Sequence, residues 1–158
     1  METVTILVDV QNVYYTTKSV YNRHFDYNKF WAQVTKNRKV VKAFAYAIDR
    51  GDEKQKQFQN ILQAIGFEIK LKPFIQRSDG SAKGDWDVGI ALDGIEYAGK
   101  SDTVVIVSGD GDFDLLAQKM RTRFKCMVEV YGVEQLTAAS LIKSASLFYP
   151  IKPDLLLN

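Results

Sequence analysis

The sequence contains few of the residues on which many common catalytic and metal sites depend. It has one cysteine, Cys126, and one histidine, His24, in 158 residues. A lone cysteine cannot form a disulfide within the chain or supply a cysteine metal site. Zinc sites depend on His and Cys, and the segment YNRHF places His24 in a predicted loop or helix end. Both zinc chemistry and a Ser-His-Asp triad are therefore disfavoured.

Long apolar runs and an excess of one charge are also missing. The longest uncharged apolar runs, such as Thr103–Val107, have the length of strands and are far too short to span a bilayer. The first residues, METVTILVDVQN, have no basic region and no small-residue cleavage site, so we expect no signal peptide, no membrane partner and a cytoplasmic location. Lys and Arg number 21 against 19 Asp and Glu, so net charge alone does not indicate nucleic acid.

Segments with strand and helix periodicity alternate along the chain, which predicts βαβ crossovers and a parallel sheet with helices on both faces. We predict one α/β domain over residues 1–158, with three layers (α/β/α) and a mainly parallel five-stranded sheet in the order 3-2-1-4-5. Residues 148–158 form a predicted tail whose leucines dock either on their own domain, which we prefer, or on a neighbouring one. The predicted strands are 3–10, 40–48, 67–71, 103–107 and 126–131, and the helices are 27–36, 53–65, 85–98, 113–123 and 135–146.

Acidic residues lie where the predicted strands end. Asp9 follows TVTILV, and Asp110 and Asp112 follow the fourth strand in SGDGDF. In the order 3-2-1-4-5 the first and fourth strands are neighbours at the switch point, where open α/β sheets bind ligands. Asp87 stands at the head of an apolar helix. Clustered acids are costly unless a cation or a proton neutralises them, and oxygen ligands completed by water suit Mg²⁺ or Mn²⁺.

Each of these acids also has a purely structural explanation. Asp9 and Asp112 could be N-caps of the helices that follow them, and Asp85 has the position of an N-cap for the helix that contains Asp87. Negative charge in the first turn, where Asp87 lies, is favourable in any helix. Asp93 lies about 240° around the helix from Asp87, so the two cannot share one face. Several acids at one edge are harder to explain by capping.

In chain order, these motifs resemble those of a known family. Asp9-x-x-Asn12, then Lys83-Gly84 with Asp87-Val88 and Ala91-Leu92-Asp93, then Ser108-Gly109-Asp110-x-Asp112-Phe113 is similar to the pattern of the NYN domain. The closer resemblance is to the LabA-like bacterial branch within the PIN-like nuclease superfamily, over roughly residues 3–147. The triplet Asp85-Trp86-Asp87 departs from the family, whose members more usually carry one acid there. Because Val88 follows Asp87 as the pattern requires, we assign the ligand to Asp87 and keep Asp85 as its competitor.

The resemblance implies a PIN-like, metal-dependent ribonuclease. One or two Mg²⁺ or Mn²⁺ ions would be held by Asp9, Asp87, Asp110 and Asp112, and metal-activated water would attack a phosphodiester in RNA. Asn12 would orient a carboxylate, a water or a phosphate. Ser108 would contact a ligand carboxylate or the leaving phosphate, unless its hydroxyl only satisfies the backbone.

Basic and aromatic residues near the acidic edge could hold an RNA strand, single-stranded or structured. As substrate contacts we single out Arg50, Arg77 and Lys83 besides Asn12 and Ser108. Each single charge is also explained as a solvated surface residue, so only the clustering is informative. Further candidates are the basic residues Lys18, Arg23 and Lys72 and the stacking surfaces Tyr14, Tyr15, Tyr21 and Trp86.

Other functions fit less well. A haloacid-dehalogenase-like phosphatase needs an Asp where Gln11 stands, and residues 9–14 lack the glycine motif of a dinucleotide site. A receiver domain needs an Asp where Lys72-Pro73 ends the third strand. The main alternative is a regulatory module on the same fold that binds RNA or a protein without cutting it. The full acidic set favours catalysis, because a pure binder gains little from repelling phosphate. The sequence does not decide between a monomer and a homodimer.

Overall fold

The computed structural model describes residues 1–73, 75–76, 82–83 and 85–158, and strands alternate with helices through these ranges. The strands are β1 (Glu2–Asp9), β2 (Arg38–Asp49), β3 (Glu68–Pro73), β4 (Ile75–Gln76), β5 (Ala82–Lys83), β6 (Thr103–Val107), β7 (Met127–Gly132) and β8 (Leu147–Pro150). The helices are α1 (Val10–Tyr21), α2 (Tyr27–Val34), α3 (Glu53–Ile65), α4 (Asp87–Ala98), α5 (Asp114–Arg123) and α6 (Ala139–Ser144). None of these helices has the length and hydropathy that crossing a bilayer requires.

The central sheet has six strands in the order β3-β2-β1-β6-β7-β8, and its neighbouring strands all pair in parallel. The predicted order of the first five strands and the α/β class are confirmed, with β1 beside β6 at the switch point. The prediction of five strands was one short, because residues 148–158 are not only a tail. Leu147–Pro150 pairs with β7 at the sheet edge, where a proline is tolerated because no further strand needs its missing N–H.

The two faces of the sheet are covered by different helices. Alternate residues of β1, such as Ile6 and Val8, face the cluster that includes α1, α2 and α3, whereas Leu7 faces the cluster of α4, α5 and α6. This division follows from the two-residue period of a strand. All five residues of β6 are buried, as the prediction of a continuous apolar strand requires. The three-layer arrangement is therefore confirmed.

Helix boundaries differ from the prediction in several places. The predicted helices include none between Asp9 and residue 27, yet this segment forms α1, in which Thr16 and Thr17 bond back to backbone carbonyls of the preceding turn. Helix α4 begins at Asp87, not at residue 85, with Trp86 as its N-cap. The last predicted helix shortens to α6, preceded by a 3₁₀ turn at Glu134–Leu136. Short polar segments of this kind have little apolar periodicity to read.

The C-terminal residues dock on the domain through both side chains and backbone. Leu155 and Leu156 are buried, and Leu156 forms an isolated antiparallel bridge with Phe25. The Arg23 guanidinium donates from Nε to the Leu157 carbonyl at 2.8 Å. Arg23 therefore binds the C-terminal residues, although the sequence made it a candidate for contacting an RNA strand.

Candidate metal centre

Three carboxylates converge at the carboxyl edge of β1 and β6. Asp87, Asp110 and Asp112 each offer an oxygen, and these oxygens all lie within 4.8 Å of one another. Asp87 is the first residue of α4, whereas Asp110 and Asp112 belong to the loop after β6. The topology therefore brings together side chains that are more than twenty positions apart, as the sequence predicts for Asp87, Asp110 and Asp112.

The loop after β6 is shaped by Asp110 and by two glycines. The Asp110 carboxylate accepts the Asp112 N–H at 2.9 Å and so caps the 3₁₀ turn Gly111–Phe113. A Cβ at Gly109 would lie 2.7 Å from the Leu136 carbonyl oxygen, so the close approach of these backbones needs glycine. The loop is thereby fixed with Asp110 and Asp112 on the same side as Asp87.

The structure decides between capping and clustering for Asp112. Helix α5 begins at Asp114, and its N-cap is Phe113, which makes no side-chain capping bond. The N-cap explanation of Asp112 is therefore wrong, and its exposed carboxylate is explained better by the cluster. Asp9, in contrast, does cap a helix, because its carboxylate accepts the Asn12 N–H at 3.4 Å.

Asp9 lies beside this group of three and is held by hydrogen bonds. Ser108 Oγ donates to Asp9 Oδ2 at 3.2 Å and accepts the Asp110 N–H at 3.2 Å. Asn12 Oδ1 accepts the Gly109 N–H at 2.9 Å, which ties α1 to the loop after β6. Ser108 is buried, so its hydroxyl links two of the acids. A contact of Ser108 with a leaving phosphate stays a prediction.

The acids destabilise one another's charged forms. Burial, followed by the nearby charges of Asp110 and Asp85, raises the pKa of Asp87 to about 7. Burial also raises the pKa of Asp9 to about 6, against the opposing hydrogen bonds from Asn12 and Ser108. Within the described ranges, the ion pairs join other residues and include none of these acids. No cationic side chain of the described residues balances the cluster at salt-bridge distance.

This donor set fits a hard divalent cation. It presents carboxylate oxygens only, at convergent positions, and Asp87 and Asp112 have solvent access for the waters that complete an Mg²⁺ or Mn²⁺ shell. Placing a cation between like charges also removes the repulsion that raises the pKa of Asp87. Asp9 is not one of the three closest acids, yet its charge contributes to the raised pKa of Asp87.

Asp85 and its neighbour Trp86 have different surroundings from Asp87. Asp85 is exposed and does not belong to the group of three, although its charge raises the pKa of Asp9 and Asp87. The Trp86 indole donates to the Ala47 carbonyl at 2.9 Å and packs against the Tyr46 ring. Trp86 thus attaches the start of α4 to β2. This structural role differs from the base stacking that the sequence suggested.

The predicted substrate contacts are spread over several surroundings. Arg50 is exposed beside the end of β2 and lines a groove next to α1. Arg77 and the side chain of Lys83 lie outside the described residues. Asp93, which the sequence separated from Asp87, accepts hydrogen bonds from Tyr46 Oη and Lys70 Nζ, both at 2.7 Å. Asp93 is therefore a paired carboxylate in another part of the fold.

Tyr27 is a neighbour of the site that the sequence analysis missed. Tyr27 is the first residue of α2, and its side chain is buried. Burial, together with the charge of Asp9, raises the pKa of the Tyr27 hydroxyl. The sequence placed Tyr27 only at the start of a predicted helix, and no sequence signal connected it with Asp9. Only the folded arrangement, with α2 packed across the end of β1, brings the two together.

The comparisons with known proteins agree with this fold and with the motifs. The NYN domain family model matches residues 3–152. The protein LabA (low amplitude and bright) of Synechococcus elongatus is 27% identical over 90 residues, which are 53% of this chain and 48% of LabA. The aligned part thus spans about half the length of that curated relative.

Two solved structures are also similar. The crystal structure of a Vibrio parahaemolyticus protein of unknown function is 56% identical, with a TM-score of 0.95 over 99% of this chain and 96% of that one. MurG of Acinetobacter baumannii superposes with a TM-score of 0.52 at 11% identity, over 98% of this chain and 43% of MurG. The second likeness concerns the fold alone.

Proposed function

This chain belongs to the NYN domain family, and we propose on that premise that it is a metal-dependent ribonuclease that hydrolyses RNA phosphodiester bonds. The family is nuclease-like, and an acidic cluster is present. The observation that carries the proposal is the convergence of Asp87, Asp110 and Asp112 without a balancing cationic side chain among the described residues. A site of this kind repels phosphate unless a cation is bound.

Asp87, Asp110 and Asp112 would hold Mg²⁺ or Mn²⁺, with Asp9 as a further ligand from the end of β1. The bound cation supplies a more acidic water and a positive charge for the phosphate oxygens. Ser108 and Asn12 would act as positioning residues, because one fixes Asp9 relative to Asp110 and the other fixes the loop. The carboxylates would also accept protons as the attacking water loses them.

The test is a cleavage assay on unstructured and hairpin RNA with Mg²⁺ or Mn²⁺, for the wild type and Asp110→Asn. We expect Asp110→Asn to lower the cleavage rate at least about a hundredfold. Mutating a residue that only hydrogen-bonds a metal ligand costs up to about a hundredfold, and loss of a ligand itself should cost at least as much. Asp114→Asn is the matched control, because Asp114 lies only four positions further on and its carboxylate accepts the Leu115 N–H outside the group of three. Asp85→Asn, beside Asp87→Asn, separates the two competing acids.

Two outcomes would contradict the proposal. Equal activity of Asp110→Asn and the wild type would assign the cleavage to a contaminant. RNA binding that EDTA leaves unchanged, with no product at any concentration of either metal, would identify the binding module that was the alternative prediction.

A further inference from the structure

A groove of about 640 Å³ opens next to the acidic cluster on the other face of the sheet. It runs between α1 and α3 and reaches the ends of β1 and β2 through Val10 and Ile48. Because Val10 directly follows Asp9, the groove and the acids share one edge of the sheet. Its volume lies in the range of small-molecule sites, and its walls are mainly aromatic and aliphatic.

One wall of the groove carries the hydroxyl of Tyr27. Tyr27 lines the groove and is 8% exposed. Every fully buried side-chain nitrogen or oxygen of the described residues has a hydrogen-bond partner, so the Tyr27 hydroxyl, which bonds none of them, is open to solvent. A hydroxyl that is open to solvent can exchange its water for a polar group of a ligand. The lining also includes the polar side chains of Gln11 and Gln55, so the groove can hydrogen-bond a ligand that has polar edges.

The lining of the groove also offers a flat aromatic surface with basic residues beside it. Tyr14, which is 41% exposed, stacks on His24 with ring centroids 5.7 Å apart and planes 19° apart. Lys18 Nζ lies 5.5 Å from the centroid of the same Tyr14 ring. Arg50 and Lys54 also line the groove. Flat rings next to cationic side chains match a base attached to a phosphate chain.

We infer that this groove binds the base of an unpaired nucleotide of single-stranded RNA, next to the phosphodiester that the acids approach. The inference rests on the proposed function for its substrate class. Tyr14 supplies the stacking face, the Tyr27 hydroxyl bonds a polar edge of the base, and Arg50 and Lys54 hold the flanking phosphates. A base inside a duplex cannot enter, because its faces are already stacked and its pairing edge is occupied.

The test measures binding without cleavage, by fluorescence anisotropy of a labelled eight-nucleotide unstructured RNA in EDTA. A second RNA of the same length carries abasic residues throughout. We expect Tyr14→Ala to weaken binding of the intact RNA at least about fivefold, from the energy of one base stacked on an aromatic ring. On abasic RNA the same variant should bind as the wild type does.

Two further variants complete the experiment. Tyr27→Phe should weaken binding of the intact RNA about two- to tenfold, the worth of one hydrogen bond, and should leave abasic RNA unaffected. Tyr14→Phe keeps the ring and should bind normally. Tyr97→Phe is the matched control for lost hydroxyl groups, because Tyr97 packs on the α4 side of the sheet.

The abasic RNA also separates this inference from the nuclease proposal. Equal affinity of the wild type for intact and abasic RNA would overturn the groove inference, as would an equal loss for Tyr14→Ala on both RNAs. Base-dependent binding without cleavage at any metal concentration would remove the nuclease proposal and leave the groove standing. Because the wild type alone makes the first comparison, the test does not depend on the folding of any variant.

Discussion

Charged residues at the two ends of the sheet are treated in opposite ways. At the amino end, Arg38 donates to both carboxylate oxygens of Glu129, at 3.0 and 2.6 Å, and Glu129 is buried. Glu2, at the start of β1, lies 3.5 Å from the same guanidinium. At the carboxyl end, Asp87, Asp110 and Asp112 face one another with no such partner among the described residues.

The difference shows which acids belong to the fold and which are available for chemistry. A buried carboxylate that is paired with arginine in two hydrogen bonds is satisfied within the chain and has no need of a ligand. Carboxylates that raise one another's pKa lower the stability of the metal-free protein, and a cation from solution relieves that cost. Removing an acidic side chain should therefore stabilise the metal-free protein at the carboxyl end of the sheet and destabilise it at the amino end.

Removing the acid at the amino end should have the largest effect on stability. Glu129→Ala leaves the Arg38 guanidinium without its two-bond partner in a largely buried place, so we expect a loss of about 3–5 kcal/mol in the free energy of unfolding. Urea denaturation followed by circular dichroism measures it. Glu68→Ala is the control, because Glu68 is exposed and 4.0 Å from Lys42, and it should change stability by less than about 1 kcal/mol. Similar values for both variants would contradict the comparison.

Neutral hydrogen bonds, not ion pairs, should hold the carboxyl end together. Asn12→Ala removes the acceptor of the Gly109 N–H, and we expect it to lower the free energy of unfolding by about 1–3 kcal/mol. RNA cleavage should fall about 10- to 100-fold because the loop with Asp110 loses its anchor. Asn28→Ala, on the exposed face of α2, is the control and should change stability by less than about 0.5 kcal/mol. An Asn12→Ala protein with full stability would show that the loop has other support.

Removing an acid from the cluster should have the opposite sign. Asp87→Asn should raise the stability of the metal-free protein by less than about 1 kcal/mol. The repulsion with Asp110 and its neighbours disappears, but solvent screening and the lost negative charge in the first turn of α4 limit the gain. We expect Mn²⁺ to raise the melting temperature of the wild type, and Asp87→Asn should lose that increase. Asp114→Asn is the matched change outside the cluster, and it should lose about 0.3–1 kcal/mol, since Asp114 lies in the first turn of α5. If Asp87→Asn destabilised the protein as Asp114→Asn does, the Asp87 carboxylate would have a stabilising cationic partner, which contradicts the proposed difference between the two ends.

Much of the fold was predictable because its signals are local and repeated. Helix α3 was predicted to the residue, since Gly66 with φ of 138° ends it. The strand Thr103–Val107 was also found to the residue, because a continuous apolar run of that length indicates a buried strand. Once the strand order followed from the alternation, the convergence of Asp110 with Asp87 followed from topology.

The rest depends on contacts between distant parts of the chain. The start of α4 shifts to Asp87 because the Trp86 side chain is drawn to Ala47, and no local pattern reports that contact. Helix α1 is short and polar, and it is fixed by Asp9 at its start and by packing against the sheet. The groove is similar, since Tyr14 and Tyr27 face it only after α1 and α2 have docked.

The smallest expected effect is a dependence of stability on pH, between about pH 4 and pH 8, that arises at the carboxyl end of the sheet. The folded protein raises the pKa of Asp9 to about 6 and of Asp87 to about 7, above the value of 3.8 that serves as the unfolded reference. Between about pH 4 and 7 the folded state therefore binds more protons than the unfolded state, so stability present at low pH is lost as pH rises through these values. With EDTA present, we expect a decline attributable to Asp87 of less than about 1 kcal/mol, because solvent screens this half-exposed group. Chemical denaturation of the wild type and of Asp87→Asn at pH 5 and pH 8 measures this decline in the free energy of unfolding. The variant should lose most of the decline that is attributable to Asp87. A rise in stability for the wild type that the variant lacks would show Asp87 stabilised in its charged form, which would place an unrecognised cation at this end of the sheet.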